Sequence, residues 1–164
     1  MFLPQGRFAA RAGRSAALAG LTPAAMLRGT RREAGRRMRA ASYLWVAAGG
    51  ALGSMARYWL ADAVAGLLGA QFPWGTLLIN IGGSFLIGWF GAWTGAHGPM
   101  EVPGDVRVFV MVGICGGFTT FSSFSLQTLE LMQAGELVRA GAYILGSVVL
   151  CLLAVWAGVA MGRA

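Results

Sequence analysis

The sequence predicts an all-α membrane protein with four transmembrane helices, and three observations carry that reading. Of the 164 residues 57% are hydrophobic and 12% charged, where a soluble domain carries about 25% charged residues. Charge-free runs of close to 20 residues recur along the chain, enough to cross a hydrocarbon core of about 30 Å. Glycine occurs 26 times without a Gly-X-Y period, which excludes a collagen-like chain and suits helices that approach closely in a membrane.

The domain organisation follows from where the charge lies. All thirteen basic residues are arginine, and nine of them (Arg7, Arg11, Arg14, Arg28, Arg31, Arg32, Arg36, Arg37 and Arg39) precede residue 41, against one acid, Glu33. From Ala41 onward four arginines face five acids. The net charge of +7 therefore belongs to residues 1–40 and gives no ground for a nucleic-acid-binding body. This extension lacks the continuous apolar core of a secretory signal. It reads as a basic arm for anionic lipid headgroups, as a transit-type presequence, as disordered chain, or as a stretch preceding a translation start at Met38. Residues 41–164 form the membrane domain.

Its elements follow in order. A first span, about 42–66, is uncharged from Ala40 to Ala56, is interrupted by Arg57 and Asp62, and resumes through Leu68. Gly69-Ala70-Gln71-Phe72-Pro73 is a turn cluster, with Pro73 suited to a helix start. The second span, 74–93, is free of charge over 20 residues. Residues 94–105 hold Gly95, Gly98, Pro99, Pro103 and Gly104 with two acids, the composition of an exposed loop. The third span is expected at 107–131, and the fourth at 140–162 after a short link around Gly135. Four spans place both termini and the second loop on one side, where Arg39, Arg107 and Arg163 outnumber Arg139. The other arginines of the extension would drive that side to the cytoplasm.

Polar residues inside spans are costly unless paired or wetted, so they mark candidate sites. Asn80 is the one side-chain amide of the second span; its N–H donors suit an anion or a bridge between helices. The third span holds Gly116-Gly117-Phe118-Thr119-Thr120-Phe121-Ser122-Ser123-Phe124-Ser125 where a plain helix would be aliphatic. Paired glycines and β-branched threonines disfavour helix, so a break is expected near Gly116–Thr120. Backbone groups freed in a membrane must be buried in protein or line a wet cavity or an ion site; freed carbonyls suit a hard cation. Phe121 and Phe124, three apart and beside Thr120, share a helical face. Their electropositive ring edges can contact a small anion, and the same spacing fits packing. Tyr143, Ser147 and Cys151 recur every four residues and form one stripe on the fourth span, for an ion path or for helix pairing. Arg57 either snorkels to headgroups or guards an anion vestibule.

No Asp or Glu sits at the centre of any span, which weakens a proton-coupled small multidrug-type exporter, a four-helix class of similar length. Cys115 and Cys151 lie in apolar runs without metal-ligand spacing. No nucleophile with a base, metal cluster or phosphate-binding loop is present, and no enzyme is expected.

The segments Gly49-Gly50-Ala51-Leu52-Gly53-Ser54-Met55-Ala56-Arg57-Tyr58, Gly75-Thr76-Leu77-Leu78-Ile79-Asn80 and Gly116–Ser125 resemble those of the CrcB/Fluc fluoride channel family. The resemblance covers about Ala41 to Gly162. It implies a passive, fluoride-selective channel of the cell (inner) membrane that lowers cytoplasmic fluoride. It further implies an antiparallel, dual-topology homodimer with two pores and a structural sodium ion at its centre. Carried onto this chain, the sodium ligands would be the backbone carbonyls of Gly116 and Thr119. Phe121, Phe124, Asn80, Thr120, Tyr143 and Ser147 would line the fluoride path, and Arg57 matches a basic residue at the end of the first helix. Two positions depart from the pattern: Gln127 stands where the family often has Glu, and Cys151 where a relative presents Ser.

Overall fold

The computed structural model describes the backbone of residues 23–164 and side chains from residue 40. The chain divides into two units, Met1–Ala40 and Ala41–Ala164, and the packing and the cleft described below belong to the second. The expectations for the Arg-rich extension fall on residues 1–22 and on side chains before residue 40, outside the described residues.

Helix α1, Pro23–Leu68, carries the expected first span in its later part. It ends at Gly69, whose φ of +80° is a left-handed conformation that glycine adopts without cost. Helix α2, Trp74–Trp93, begins directly after Pro73. At its other end the Thr94 hydroxyl donates to the Phe90 carbonyl at 2.6 Å and accepts from Arg107 across the following loop. After that loop come α3, Gly104–Arg107, a π-helical stretch, Val108–Cys115, and α4, Gly116–Phe118. Thr119 and Thr120 are extended (φ/ψ −78°/156° and −151°/115°). Helix α5, Phe121–Gln133, then starts with the Thr120 hydroxyl accepting from the Ser123 N–H at 3.2 Å, a threonine N-cap. Gly135, at φ +78°, turns the chain into α6, Leu137–Gly162.

Among the described residues three segments are long and apolar enough to cross a membrane: Trp74–Trp93, Gly104–Gln133 and Leu137–Gly162. Helix α1, with Arg57 and Asp62 in its apolar stretch, is not among them. The outward faces of the helices are apolar: Leu145, Leu152 and Trp156 on α6 and Trp59 on α1 are all exposed. Such an arrangement suits lipid or a second protein surface, and the chain is a multi-pass membrane protein.

The helices meet through glycine. A Cβ on Gly158 of α6 would collide with the Phe85 carbonyl of α2, and one on Gly88 of α2 would lie 2.5 Å from the Val155 carbonyl. Likewise a Cβ on Gly117 would lie 2.5 Å from the Gly50 carbonyl of α1, and one on Gly49 would lie 2.5 Å from the carbonyl of Phe109 in the π-helical stretch. Backbones this close exchange dispersion contacts that side chains would prevent, the main attraction left to helices in lipid.

Candidate functional site

The extended pair Thr119–Thr120 interrupts i to i+4 hydrogen bonding, and side chains from other helices take up the freed groups. Asn80 of α2 faces the Thr120 peptide: its Oδ1 accepts from the Thr120 N–H at 2.8 Å, and its Nδ2 donates to the Thr120 carbonyl at 3.1 Å. On the α4 side, the Gly117 carbonyl accepts from Arg57 Nε at 3.1 Å and from the Ser54 hydroxyl at 3.4 Å. The Cys115 carbonyl receives both the N–H and the hydroxyl of Thr119, each at 3.0 Å. A glycine at 83 makes room for Thr119, whose methyl occupies the place of a Cβ there.

This pairing diverts the helical donors of two carbonyls. The i+4 donor of Gly116 is the Thr120 N–H, which is spent on Asn80. The i+4 donor of Thr119 is the Ser123 N–H, which is spent on the Thr120 hydroxyl. Gly116 and Thr119 thus each present a carbonyl oxygen released from the helical ladder, the hard, neutral donor type that alkali cations accept.

A cleft of about 350 Å³ opens beside Gly116 and Thr119. Of the residues singled out in the sequence, Asn80, Gly116, Thr119, Thr120, Phe121, Phe124 and Ser147 all line it. Phe121 and Phe124 have ring centroids 5.4 Å apart, with their planes inclined at 42°. Phe121 is 78% exposed, so the cleft opens toward the outside of the single chain. Ser147, only 7% exposed, has a buried hydroxyl without a hydrogen-bond partner. An unpaired buried hydroxyl costs on the order of 1–3 kcal/mol unless a ligand completes it. The cleft lining holds no carboxylate and no arginine.

Two singled-out residues stand behind the cleft. Tyr143, fully buried, packs against Phe124 with ring centroids 5.1 Å apart and planes inclined at 50°, and donates its hydroxyl to Gln127 Oε1 at 3.0 Å. Arg57 lies on the far side of Gly117, its guanidinium on that carbonyl. The sequence gives Ser84 only a place on the small-residue face of α2, yet it also lines the cleft, and it does not reveal a second cavity of about 380 Å³ bordered by Thr76, Gln127 and Glu130. A single serine among glycines on α2 gave no signal of its own. The second cavity depends on the approach of α1, α2 and α5, which spacing along one helix does not reveal.

A family model described as CrcB-like protein, Camphor Resistance (CrcB), matches residues 44–159. The chain belongs to the CrcB family. Its relatives include a fluoride-specific ion channel FluC of Methylocella silvestris, 62% identical over 116 residues that make up 71% of this chain and 88% of the relative. Proteins of the same name from Rhodospirillum rubrum and Opitutus terrae are 60% identical over 117 residues and 56% identical over 116 residues. Each alignment covers 71% of this chain, and 91% and 88% of the respective relatives. The CrcB match spans α2, the extended Thr119–Thr120 pair and all the cleft residues.

Proposed function

We propose that this protein is a passive, fluoride-selective channel that lowers cytoplasmic fluoride across the cell inner membrane, without enzymatic activity. The observation that carries the reading is the composition of the cleft. Two phenylalanine rings, the Asn80 amide, the Thr120 segment and an unpartnered Ser147 hydroxyl converge on it, without a cationic side chain that would trap an anion. Fluoride is small and tightly hydrated, so a path must replace its water with donors while remaining too narrow for chloride. It must also hold the ion weakly enough to release it. Ring edges and a hydroxyl meet the last condition. Tyr143 supports the path from behind Phe124 and extends its polar stripe toward the second cavity. Arg57 steadies the α4 end of the interruption near a vestibule.

The channel would be an antiparallel, dual-topology homodimer with two pores, in which all four expected spans, including residues 42–66, cross the bilayer and the third is discontinuous at Thr119–Thr120. Exposure of Phe121 supports a second copy: lipid against that ring would leave the cleft without an outer wall. A structural sodium ion fits the donor set, because Gly116 and Thr119 each carry a released carbonyl and two copies would supply four. When bound, such a cation offsets the cost of an anion in a low-dielectric interior. The chain's own residues position those oxygens: Asn80 takes the donor that would have claimed Gly116, and Thr120 the donor that would have claimed Thr119.

The test is ion efflux from liposomes holding purified protein, with a potassium diffusion potential and equal pH on both sides. Fluoride efflux with chloride retained is expected. No fluoride efflux would refute the proposal, and efflux only with a proton gradient would favour a small multidrug-type exporter.

A further inference from the structure

A hydroxyl on a membrane helix either bonds back to its own helix or turns away to another partner. Thr94, Ser125 and Thr128 take the first course, each donating to the carbonyl four residues back, at 2.6, 2.9 and 2.7 Å. Ser54 takes the second and reaches the Gly117 carbonyl. Ser84 and Ser147 take neither course, and no described residue pairs with either hydroxyl. Both line the cleft. Ser147 already has a place in the path proposed above, whereas Ser84, half-buried on α2, has none.

Ser84 follows Asn80 by four residues, so the two share one face of α2 a turn apart. The α6 side of the cleft repeats the step with Ser147 and Cys151. The two helices keep pace in one direction, Gly158 lying against Phe85 and Gly162 against Trp89. The cleft lining therefore has a second tier, one turn along α2 from Asn80. In that tier Cys115 and Cys151 offer thiols, which are weak donors, and the next α2 residue of the lining, Ile87, offers none. Thr119, against Gly83, spends its hydroxyl on the Cys115 carbonyl. The strong donor left to this tier is the Ser84 hydroxyl.

We propose that Ser84 donates to fluoride at a second station of the path, one turn along α2 from Asn80. The proposal rests on the channel reading of the cleft. Two neutral stations a turn apart let an ion shed its water in steps, with neither station deep enough to trap it. Removing the Ser84 hydroxyl would leave the ion short of one hydrogen bond to a charged partner, a loss of about tenfold or more in occupancy.

The test measures fluoride efflux from liposomes over a range of fluoride concentrations, for the full chain and for its Ser84→Ala and Ser84→Thr variants, with thermal melts of each. In Ser84→Ala the rate at low fluoride should fall about tenfold and recover in part as fluoride is raised, because a holding site is weakened. Its thermal midpoint should match the parent, since no protein partner is lost. Ser84→Thr keeps the hydroxyl and should stay within about threefold of the parent. An unchanged rate in Ser84→Ala with a conducting parent would overturn this inference alone. A loss equal at all fluoride concentrations together with a lowered midpoint would assign Ser84 to packing and overturn it too. The same loss in Ser84→Thr as in Ser84→Ala would make shape, not the hydroxyl, the cause, and would overturn the donor role. A parent that passes no fluoride would overturn the channel reading, and this inference with it.

Discussion

Asn80 and Thr120, 40 residues apart, meet as a two-point pair in which one side-chain amide satisfies both the N–H and the carbonyl of one peptide residue. The pair does for an extended residue what a neighbouring β-strand would do. Asn80→Ala leaves both groups unpaired at about 1–3 kcal/mol each. It should lower the thermal midpoint of the purified protein as well as fluoride efflux. A variant with unchanged stability would show that the clamp is not needed.

Ser147 should separate stability from conduction. Its hydroxyl is buried without a partner, so Ser147→Ala removes a desolvated group and should leave stability equal or raised by roughly 1 kcal/mol. Efflux should fall all the same, since a donor is lost from the cleft. Loss of stability and flux together would mean that the hydroxyl has a structural partner.

Glycine substitutions offer a paired control. A Cβ at Gly117 would stand 2.5 Å from the Gly50 carbonyl, whereas one at Gly82 would meet nothing within 4 Å. Gly117→Ala should reduce the yield of folded protein severely, since backbone cannot move aside as a flexible side chain can. Gly82→Ala should be within about 0.5 kcal/mol of the parent. Size-exclusion profiles and thermal melts check both.

The sodium assignment makes its own prediction. Replacing all sodium by a large organic cation should slow fluoride efflux and loosen the proposed dimer, because the Gly116 and Thr119 carbonyls would be left uncompensated. Unchanged efflux and dimer stability after exhaustive removal would remove the cation from the account.

Much of this architecture was legible from local sequence. The bounds of α2 coincide with the charge-free run 74–93, and the turns fall at Gly69 and Gly135, where a left-handed residue was needed. The poor helical propensity of Gly116-Gly117 and Thr119-Thr120 was legible as well. What was hidden is pairing over distance. Arg57 was expected to face headgroups or a vestibule, and the structure places it on the Gly117 carbonyl 60 residues on. Tyr143 was expected along the path, and it sits behind Phe124 because its hydroxyl reaches Gln127 on α5. The π-helical stretch Val108–Cys115 had no signature in an evenly apolar run. It faces the glycine-rich side of α1, and such widened turns often mark functional segments.

The most direct measurement is fluoride efflux through Phe121→Ile, set against the parent at equal protein per liposome. The substitution keeps an apolar side chain at the mouth of the cleft and removes only the ring. With the size-exclusion profile unchanged from the parent, efflux should fall to the level of protein-free liposomes. Efflux equal to that of the parent would contradict the assignment of the cleft as the ion path.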